Sequence, residues 1–245
     1  MSQYEITQTQ FTAVTGLTNP SYFSGVANGP VEQVNWYHAL VFCNKLSMAE
    51  KLTPVYTISG STNPADWGTV PTSANGTWDA VTANWSANGY RLPTEMEWMW
   101  AAMGATSGSG YTGGTYTVGY QKEFAGDPNP TASGDPIGNY AWYSVNAGST
   151  THTVGTTTYS NELGLYDMSG NVWEWCWDWY ADNGTWPNYA ITGPVTNYTG
   201  AASGAYRVLR GGSWGDYASL ASVAYRGYYY PNNQNYYIGF RVVRP

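Results

Sequence analysis

Two short segments near the end of the chain, RVLRGGSW at residues 207–214 and GFRVVR at residues 239–244, alternate apolar residues with arginine. Such alternation over a few residues is typical of β-strands. Gly211 and Gly212 predict a place where two backbones approach closely, because glycine has no side chain to hold them apart. We therefore expect both segments to be core strands that hold the residues between them in a fixed frame.

The residues between these segments have a different composition. They are poor in aliphatic side chains and include YYYPNNQNYY at residues 228–237. Tyrosine offers a large, rigid contact area at a small entropic cost, which is why antibody binding loops are rich in it. Neighbours on an extended chain point to opposite faces, so Tyr228, Tyr229 and Tyr230 cannot all be buried. The segment predicts an exposed face for a macromolecular partner, a protein rather than a small molecule. The alternative is that these tyrosines fill the core and loops of an aromatic-rich fold.

Composition limits the class of protein. A chain of 245 residues can bury one substantial core, so we expect a single domain over residues 1–245, acting as a monomer. Only 10% of the residues are charged, against roughly 25% in average proteins, and the 29 glycines and 13 prolines predict a loop-rich fold. A net charge of -7 without a basic run argues against nucleic acid as a partner. No apolar run is long enough to span a bilayer.

Capping signals predict three helices. They cover residues 8–14 behind Thr7, residues 36–50 behind Asn35, and a segment that follows Thr94 and ends at Ala102. Short strands are predicted at residues 4–7 and 151–155. The alternating tryptophans of residues 173–179 predict one further strand, with Glu174 and Asp178 on a polar face. Tryptophan rows also bind sugars in lectins, but here a core position is the favoured interpretation.

Six motifs occur in a fixed order along the chain. They are YEIT at residues 4–7, PVEQVNW at 30–36, GYRLPTEMEW at 89–98, LGLYDMSGNVWEW at 163–175, RGGSW at 210–214 and GFR at 239–241. In this order they resemble the formylglycine-generating enzyme, or sulfatase-modifying factor, family over nearly the whole chain. The resemblance implies an α+β fold of the C-type lectin-like kind, loop-rich and with little regular secondary structure.

The family's enzymes oxidise a substrate cysteine with two cysteines that follow the RGGSW motif. The corresponding positions here are Asp216 and Ala221, and neither side chain can form a thiolate or hold a soft metal ion such as Cu(I). The two cysteines of this chain, Cys43 and Cys176, lie in other motifs, and we expect both to be buried and unpaired. The resemblance therefore implies a member that is not an enzyme and has no redox cofactor. A sulfatase-modifying type of oxidase is the alternative.

A narrower resemblance concerns residues 207–244, which we call the variable segment. RGGSW, a block of scattered substitutions, PNNQN and IGFR resemble the variable region of proteins diversified by retroelements. In such proteins template adenines are randomised, commonly within AAC codons, which then encode Tyr, Asp, Gly, Ser or Leu among others. The resemblance also implies a cell-surface or extracellular location. The positions that look randomised, and that we predict to bind the partner, are Gly215, Asp216, Tyr217, Leu220, Gly227, Tyr228, Tyr229, Tyr230, Tyr236 and Tyr237.

The family resemblance also implies one structural calcium ion at residues 167–174. Its ligands would be the side chains of Asp167 and Glu174 and the carbonyl oxygens of Gly170 and Val172, which are hard donors of the kind that Ca²⁺ prefers. The alternative is a turn in which Asp167 accepts hydrogen bonds from backbone amides and Glu174 pairs with an arginine. A calcium-dependent carbohydrate binder is the corresponding alternative function.

Overall fold

The computed structural model describes residues 1–104, 123–126, 137–181 and 198–245. The helices are α1 (Gln8–Thr15), α2 (Trp36–Ala49), α3 (Gly76–Asp79) and α4 (Glu95–Ala102). The strands are β1 (Tyr56–Thr57), β2 (Thr82–Ala83), β3 (Ala141–Trp142), β4 (Ser169–Gly170), β5 (Trp173–Trp179), β6 (Arg207–Arg210), β7 (Gly227–Tyr229) and β8 (Ile238–Gly239). These elements are short and joined by long loops, so the predicted loop-rich α+β class is confirmed. Within the described residues, no helix has the length and apolar character needed to cross a membrane.

The three predicted helix starts are confirmed. Thr7, Asn35 and Thr94 each accept a hydrogen bond from the backbone amide three residues later, and each forms a capping box. The helix ends differ from the prediction by one residue in α1 and α2, which end at Thr15 and Ala49. Capping is a local interaction, so the sequence alone could locate it.

The largest sheet has the strand order β7-β6-β5-β8. β6 pairs antiparallel with both β5 and β7, whereas β8 pairs parallel with β5. The two segments that were predicted to be core strands, 207–214 and 239–244, thus lie on opposite sides of β5, and we call them the frame segments. β7 forms an edge of the sheet. Residues 207–213 and 238–243 are all buried. At Gly212 (φ 74°) an added Cβ would lie 2.8 Å from Cα of Ala221, so the predicted close backbone approach is confirmed.

Three arginines of these two segments, Arg207, Arg210 and Arg241, are buried as well. Arg207 lies between the rings of Trp36 and Trp179, at 3.7 and 3.3 Å from their centroids. Arg210 and Arg241 are also fully buried. Alternation with arginine therefore does not mark a solvent face. Arg207 is held by the two indole rings and donates to the carbonyl of Trp177, and Arg241 is paired with Glu174.

Two predicted strands are wrong. Residues 4–7 form only a bridge at Thr7, although the amide of Ile6 donates to the carbonyl of Phe240. Residues 151–155 have no strand either, because side chains accept from their amides: Asn171 from His152, and Asp167 from Gly155. Alternating sequence does not distinguish these cases from a backbone ladder.

The polar face of β5 also differs from the prediction. Glu174 and Asp178 are buried, because β5 lies in the middle of the sheet with both faces covered. The carboxylate of Glu174 is paired with Arg241, and that of Asp178 accepts from the amide of Glu95 at 2.7 Å. This strand is therefore a buried core element on both sides.

Candidate ligand-binding face

The ten predicted binding positions all reach the surface. Gly215, Tyr217, Tyr228, Tyr230 and Tyr236 are exposed, and Asp216, Leu220, Gly227, Tyr229 and Tyr237 are partly exposed. Tyr217 has the largest exposed fraction among the six tyrosines of this set, 76%. Since the adjoining segments at 207–213 and 238–243 are buried, the exposed positions are mounted on a rigid base.

Strand β7 divides the tyrosines between its two faces. Tyr228 lies opposite Val208 in the ladder, and its ring centroid is 4.9 Å from that of Tyr206. The ring of Tyr230 is 4.5 Å from Tyr206, whose hydroxyl donates to the hydroxyl of Tyr230 at 3.1 Å. We call Tyr206, Tyr228 and Tyr230 the Tyr206 patch. Tyr206 lies just outside the variable segment, and no feature of the sequence pointed to it.

Tyr229 points to the other face, where it joins a second aromatic group. Its hydroxyl is 3.0 Å from that of Tyr237, and the ring of Tyr237 is 5.4 Å from that of Tyr236. Tyr236 in turn packs against Trp214 at 5.7 Å, and the indole N–H of Trp214 donates to its carbonyl. We call Trp214, Tyr229, Tyr236 and Tyr237 the Trp214 patch. The predicted face is therefore two patches joined by β7.

A loop outside the variable segment extends the Trp214 patch. The ring of Tyr22 lies 5.8 Å from that of Tyr236, and 69% of Tyr22 is exposed. The ring of Phe23 meets Trp214 edge-on at 5.3 Å. Neither residue is among the ten predicted binding positions. Two adjacent aromatics in a polar loop were the available signal.

Buried Glu32 holds this loop. One carboxylate oxygen accepts from the amide of Phe23 at 2.8 Å, and the amide of Glu32 donates to the hydroxyl of Ser21. Burial raises the pKa of Glu32 to about 7, although hydrogen bonds from the amides of Phe23 and Tyr22 oppose the shift. The loop is thus fixed by a group beneath it and not by the rings alone.

Asp216 and Ala221, which the family resemblance matches to the cysteine pair, have structural contacts. Oδ2 of Asp216 accepts from the indole N–H of Trp173 at 2.8 Å and from the amide and hydroxyl of Ser213 at 2.9 and 2.6 Å. Ala221 is fully buried beneath Gly212. Asp216 therefore closes the loop after Trp214 through one of its two carboxylate oxygens.

The cysteines and two ion pairs of helix α4 lie outside these patches. Cys43 and Cys176 are buried and free, as expected, and burial raises the pKa of both thiols. Arg91 donates to both oxygens of Glu97 at 2.5 and 2.6 Å, and the side chain of Glu97 is partly exposed. Glu95 instead pairs with Arg226 at 2.6 Å.

The structure brings Asp167 and Glu174 into one buried cluster with Arg241, whose charge lowers the pKa of Asp167 against the effect of burial. Glu174 accepts from Arg241 with both oxygens, at 2.8 and 2.7 Å, and from the indole N–H of Trp98 at 2.6 Å. Asp167 accepts from the amide of Gly155 at 2.7 Å. This arrangement matches the alternative to a calcium site, a turn in which Glu174 pairs with an arginine. Glu174 does not fit a calcium ion here, because the guanidinium of Arg241 lies against both of its carboxylate oxygens.

At the other two predicted ligands, Gly170 and Val172, the backbone amides are engaged, which does not bear on the carbonyl oxygens that were predicted to bind the ion. The amide of Gly170 donates to the carbonyl of Gly211, and the amide of Val172 donates to Glu5 at 3.1 Å. Among the described residues, no group of three or more His, Cys, Asp or Glu side chains is arranged to hold a metal ion. Calcium binding by this protein stays a prediction.

Comparison with known proteins places the chain in a family. The model of the sulfatase-modifying factor enzyme 1-like domain matches residues 1–245. The chaperone protein LppX of Paenibacillus barcinonensis is 36% identical over 261 residues, covering 100% of this chain and 79% of that protein. The formylglycine-generating enzyme of Streptomyces coelicolor is 33% identical over 177 residues, covering 67% of this chain and 49% of the enzyme.

Solved structures agree with the sequence relatives. Treponema denticola variable protein 1 superposes with a TM-score of 0.79 at 40% identity, covering 98% of this chain and 82% of that chain. CarF superposes with a TM-score of 0.67 at 30% identity, covering 99% of this chain and 84% of that chain. The chain therefore belongs to the sulfatase-modifying factor, or formylglycine-generating enzyme, family and has its C-type lectin-like fold.

Proposed function

We propose that the protein is a noncatalytic receptor or adhesin whose variable segment is diversified by a retroelement and binds a protein partner at the cell surface. One observation supports the proposal above the others: every position that looks randomised reaches the surface, whereas the adjoining segments 207–213 and 238–243 are buried. Substitutions at the five exposed positions, which are Gly215, Tyr217, Tyr228, Tyr230 and Tyr236, can change which partner binds without disturbing the core. The similarity to a protein named a variable protein supports the same function.

The chemistry of the patches favours binding over catalysis. Exposed tyrosines supply rigid rings with polar tips, a composition suited to protein recognition. At the positions of the family's cysteine pair, Asp216 is engaged by Trp173 and Ser213, and Ala221 has no reactive group. Because both thiols are buried with raised pKa values, neither Cys43 nor Cys176 presents a thiolate at neutral pH. The proposal therefore includes no redox cofactor.

The test is to sequence the gene and its flanks. We expect a second near-copy of the DNA that encodes residues 207–245, differing from the gene only where the copy has adenine. The differences should fall in the codons of the ten predicted binding positions. The codons for 207–213 and 239–241 are the internal control and should match. If no near-copy exists, or if its differences fall in the frame codons, diversification by a retroelement is refuted.

Binding is tested separately on the protein. A displayed library of random constrained peptides is selected against the full chain, and enriched peptides are measured against Tyr236→Ser and against Tyr159→Ser. Tyr159 is a matched control, because it is 54% exposed and lies outside the variable segment. Loss of binding in the first variant alone supports a binding face at the Trp214 patch. Equal binding to both variants contradicts it.

A further inference from the structure

We infer that Tyr22 is a constant contact residue of the binding face, positioned by Phe23 and Glu32, and that the face takes a protein segment presenting an arginine. The inference rests on the proposed function and adds to it a fixed component and a partner chemistry. It concerns a loop that diversification of the variable segment would leave unchanged.

Geometry makes Tyr22 continuous with the Trp214 patch. Its ring is tilted by 45° against Tyr236 and stands at 88° to Phe23, so neither neighbour stacks on it face to face. The exposed fraction of Tyr22 is 69%. An aromatic ring that is held by two neighbours and still largely exposed is suited to contact a partner.

The loop is built to hold this position. Phe23 packs edge-on against Trp214 and Tyr236, at 5.3 and 6.3 Å. Glu32 accepts from the amide of Phe23, and the side chain of Gln8 donates to the Phe23 carbonyl at 3.1 Å. Both backbone groups of Phe23 are thus tied to side chains beneath the loop. A fixed loop loses little entropy when a partner binds to it.

The charge of the face indicates which chemical group of a partner it can bind. Residues 211–240 contain one basic residue, Arg226, and one acid, Asp216. Arg226 is buried and paired with Glu95, and the carboxylate of Asp216 accepts from Trp173 and Ser213. The other surface side chains of these residues are uncharged: tyrosine rings and hydroxyls, with the amides of Asn232, Asn233 and Gln234 beside them. Ring faces carry a negative quadrupole, and the chain as a whole carries a net charge of -7.

A guanidinium is the cation that fits such rings best. It is planar, stacks on aromatic faces, and can donate to phenolic oxygens at the same time. The protein already uses this contact in its interior, where Arg207 lies between Trp36 and Trp179. On the binding face, the exposed ring of Tyr22 beside Tyr236 offers an aromatic surface to an arginine from another protein.

The experiment uses the full chain and the peptides enriched from the random constrained library. Dissociation constants are measured by calorimetry for wild type, Tyr22→Ser, Tyr236→Ser and the control Tyr159→Ser. We expect Tyr22→Ser to weaken binding by roughly tenfold or more, as for a contact at the centre of an interface, while Tyr159→Ser binds as wild type. We also expect the peptides to be rich in arginine and to lose affinity when that arginine is replaced by citrulline, which is planar but uncharged.

Positioning is tested with a pair of variants at Glu32. Glu32→Gln keeps an oxygen that can accept from the Phe23 amide, whereas Glu32→Ala removes it. We expect Glu32→Gln to retain affinity and Glu32→Ala to lose it. Thermal unfolding of both variants, and of Tyr22→Ser, shows whether the fold is intact. If Glu32→Ala and Glu32→Gln bind alike in folded protein, Glu32 does not position the loop.

The outcomes separate this inference from the proposed function. If Tyr236→Ser loses binding and Tyr22→Ser does not, the constant contact is refuted and the proposed function stands. If the peptides bind all variants equally, the face is not a binding surface and both fail. Enriched peptides without arginine, or with unchanged affinity after citrulline replacement, refute the partner chemistry. If no peptide binds but a glycan array shows binding that Tyr236→Ser abolishes, the partner is a carbohydrate and not a protein.

Discussion

The guanidinium of Arg241 and the carboxylate of Glu174 form an ion pair of 2.7 Å in which neither side chain reaches solvent. The pair joins the end of the variable segment to the central strand β5. Glu5 and Asp167 are buried nearby, and burial raises the pKa of both, to about 6 for Asp167. Arg241 is the cation that all three acids share, since its charge lowers the pKa of Glu5 and Asp167 against the effect of burial.

Replacement of Arg241 by Met should destabilise the fold strongly. It leaves buried carboxyl groups without their cation and removes hydrogen bonds to the carbonyls of Ser2 and Tyr166. Breaking a buried pair on one side costs about 3–5 kcal/mol, which corresponds to a fall in Tm of roughly 10 °C. The measurement is thermal unfolding followed by circular dichroism at neutral pH.

Arg244→Met is the matched control for Arg241→Met. Arg244 lies three residues further on, and its pair with Glu50 spans 3.5 Å with both side chains nearly half exposed. An exposed pair of this kind contributes about 0–1 kcal/mol, so Tm should hardly change. If the two variants melt at the same temperature, the buried pair does not support the frame.

The fold was predictable where local signals act or where a motif order matched the family. Thr7, Asn35 and Thr94 mark helix starts by interactions within four residues, and all three predictions are confirmed. The false strands at 4–7 and 151–155 show the limit of local alternation. In residues 151–155, Asn171 and Asp167 accept from amides that a strand ladder would have used. Such long-range partners leave no local pattern.

The candidate site was predictable only within the variable segment. The ten positions were predicted from residue types that randomised adenine codons would encode and from the clustering of tyrosines. These signals did not predict how β7 divides the tyrosines between two faces. Tyr22 and Tyr206 were missed, because each joins a patch through a contact that spans many residues of sequence. A single aromatic in a loop has the same local signature whether it packs beside the face or elsewhere.

Stability should rise as the pH falls from about 8 to about 5. Burial raises the pKa of Glu32 and Asp178 to about 7 and that of Asp167 to about 6. Between their unfolded and folded pKa values the folded protein binds more protons than the unfolded chain, so the free energy of unfolding decreases as pH rises through that window. The measurement is Tm as a function of pH.

Asp178→Asn isolates one of these groups. The amide oxygen of asparagine can still accept from the amide of Glu95, which Asp178 does at 2.7 Å, but the side chain no longer titrates. We expect a flatter dependence of Tm on pH between about 4 and 7. A variant with the same slope as wild type would show that Asp178 does not contribute to it.

Calcium should have little effect on stability. Both oxygens of Glu174 accept from Arg241, so a divalent cation at that carboxylate would meet a positive charge. We expect equal Tm values in excess calcium chloride and in EDTA. A lower Tm in EDTA that calcium restores would establish a structural ion, and a repeat with Asp167→Asn would then locate it.

The division of the tyrosines by β7 predicts different effects for neighbouring residues. Tyr228 and Tyr230 are exposed at 44% and 49%, so their joint replacement by Ser should shift Tm by only a few degrees. Tyr229 packs against the core and shares a hydrogen bond with Tyr237, so Tyr229→Ser should cost about 1–3 kcal/mol. Thermal unfolding of the two proteins side by side measures the difference.

Binding separates the Tyr206 patch from the Trp214 patch. If both patches contact one partner, the double variant Tyr228→Ser with Tyr230→Ser should bind the peptides selected on wild type more weakly while its fold stays intact. If the peptides lose affinity for Tyr236→Ser but bind the double variant as they bind wild type, the face is confined to the Trp214 patch. A large loss of stability in the double variant would instead place Tyr228 and Tyr230 in the core and remove the Tyr206 patch from the binding surface.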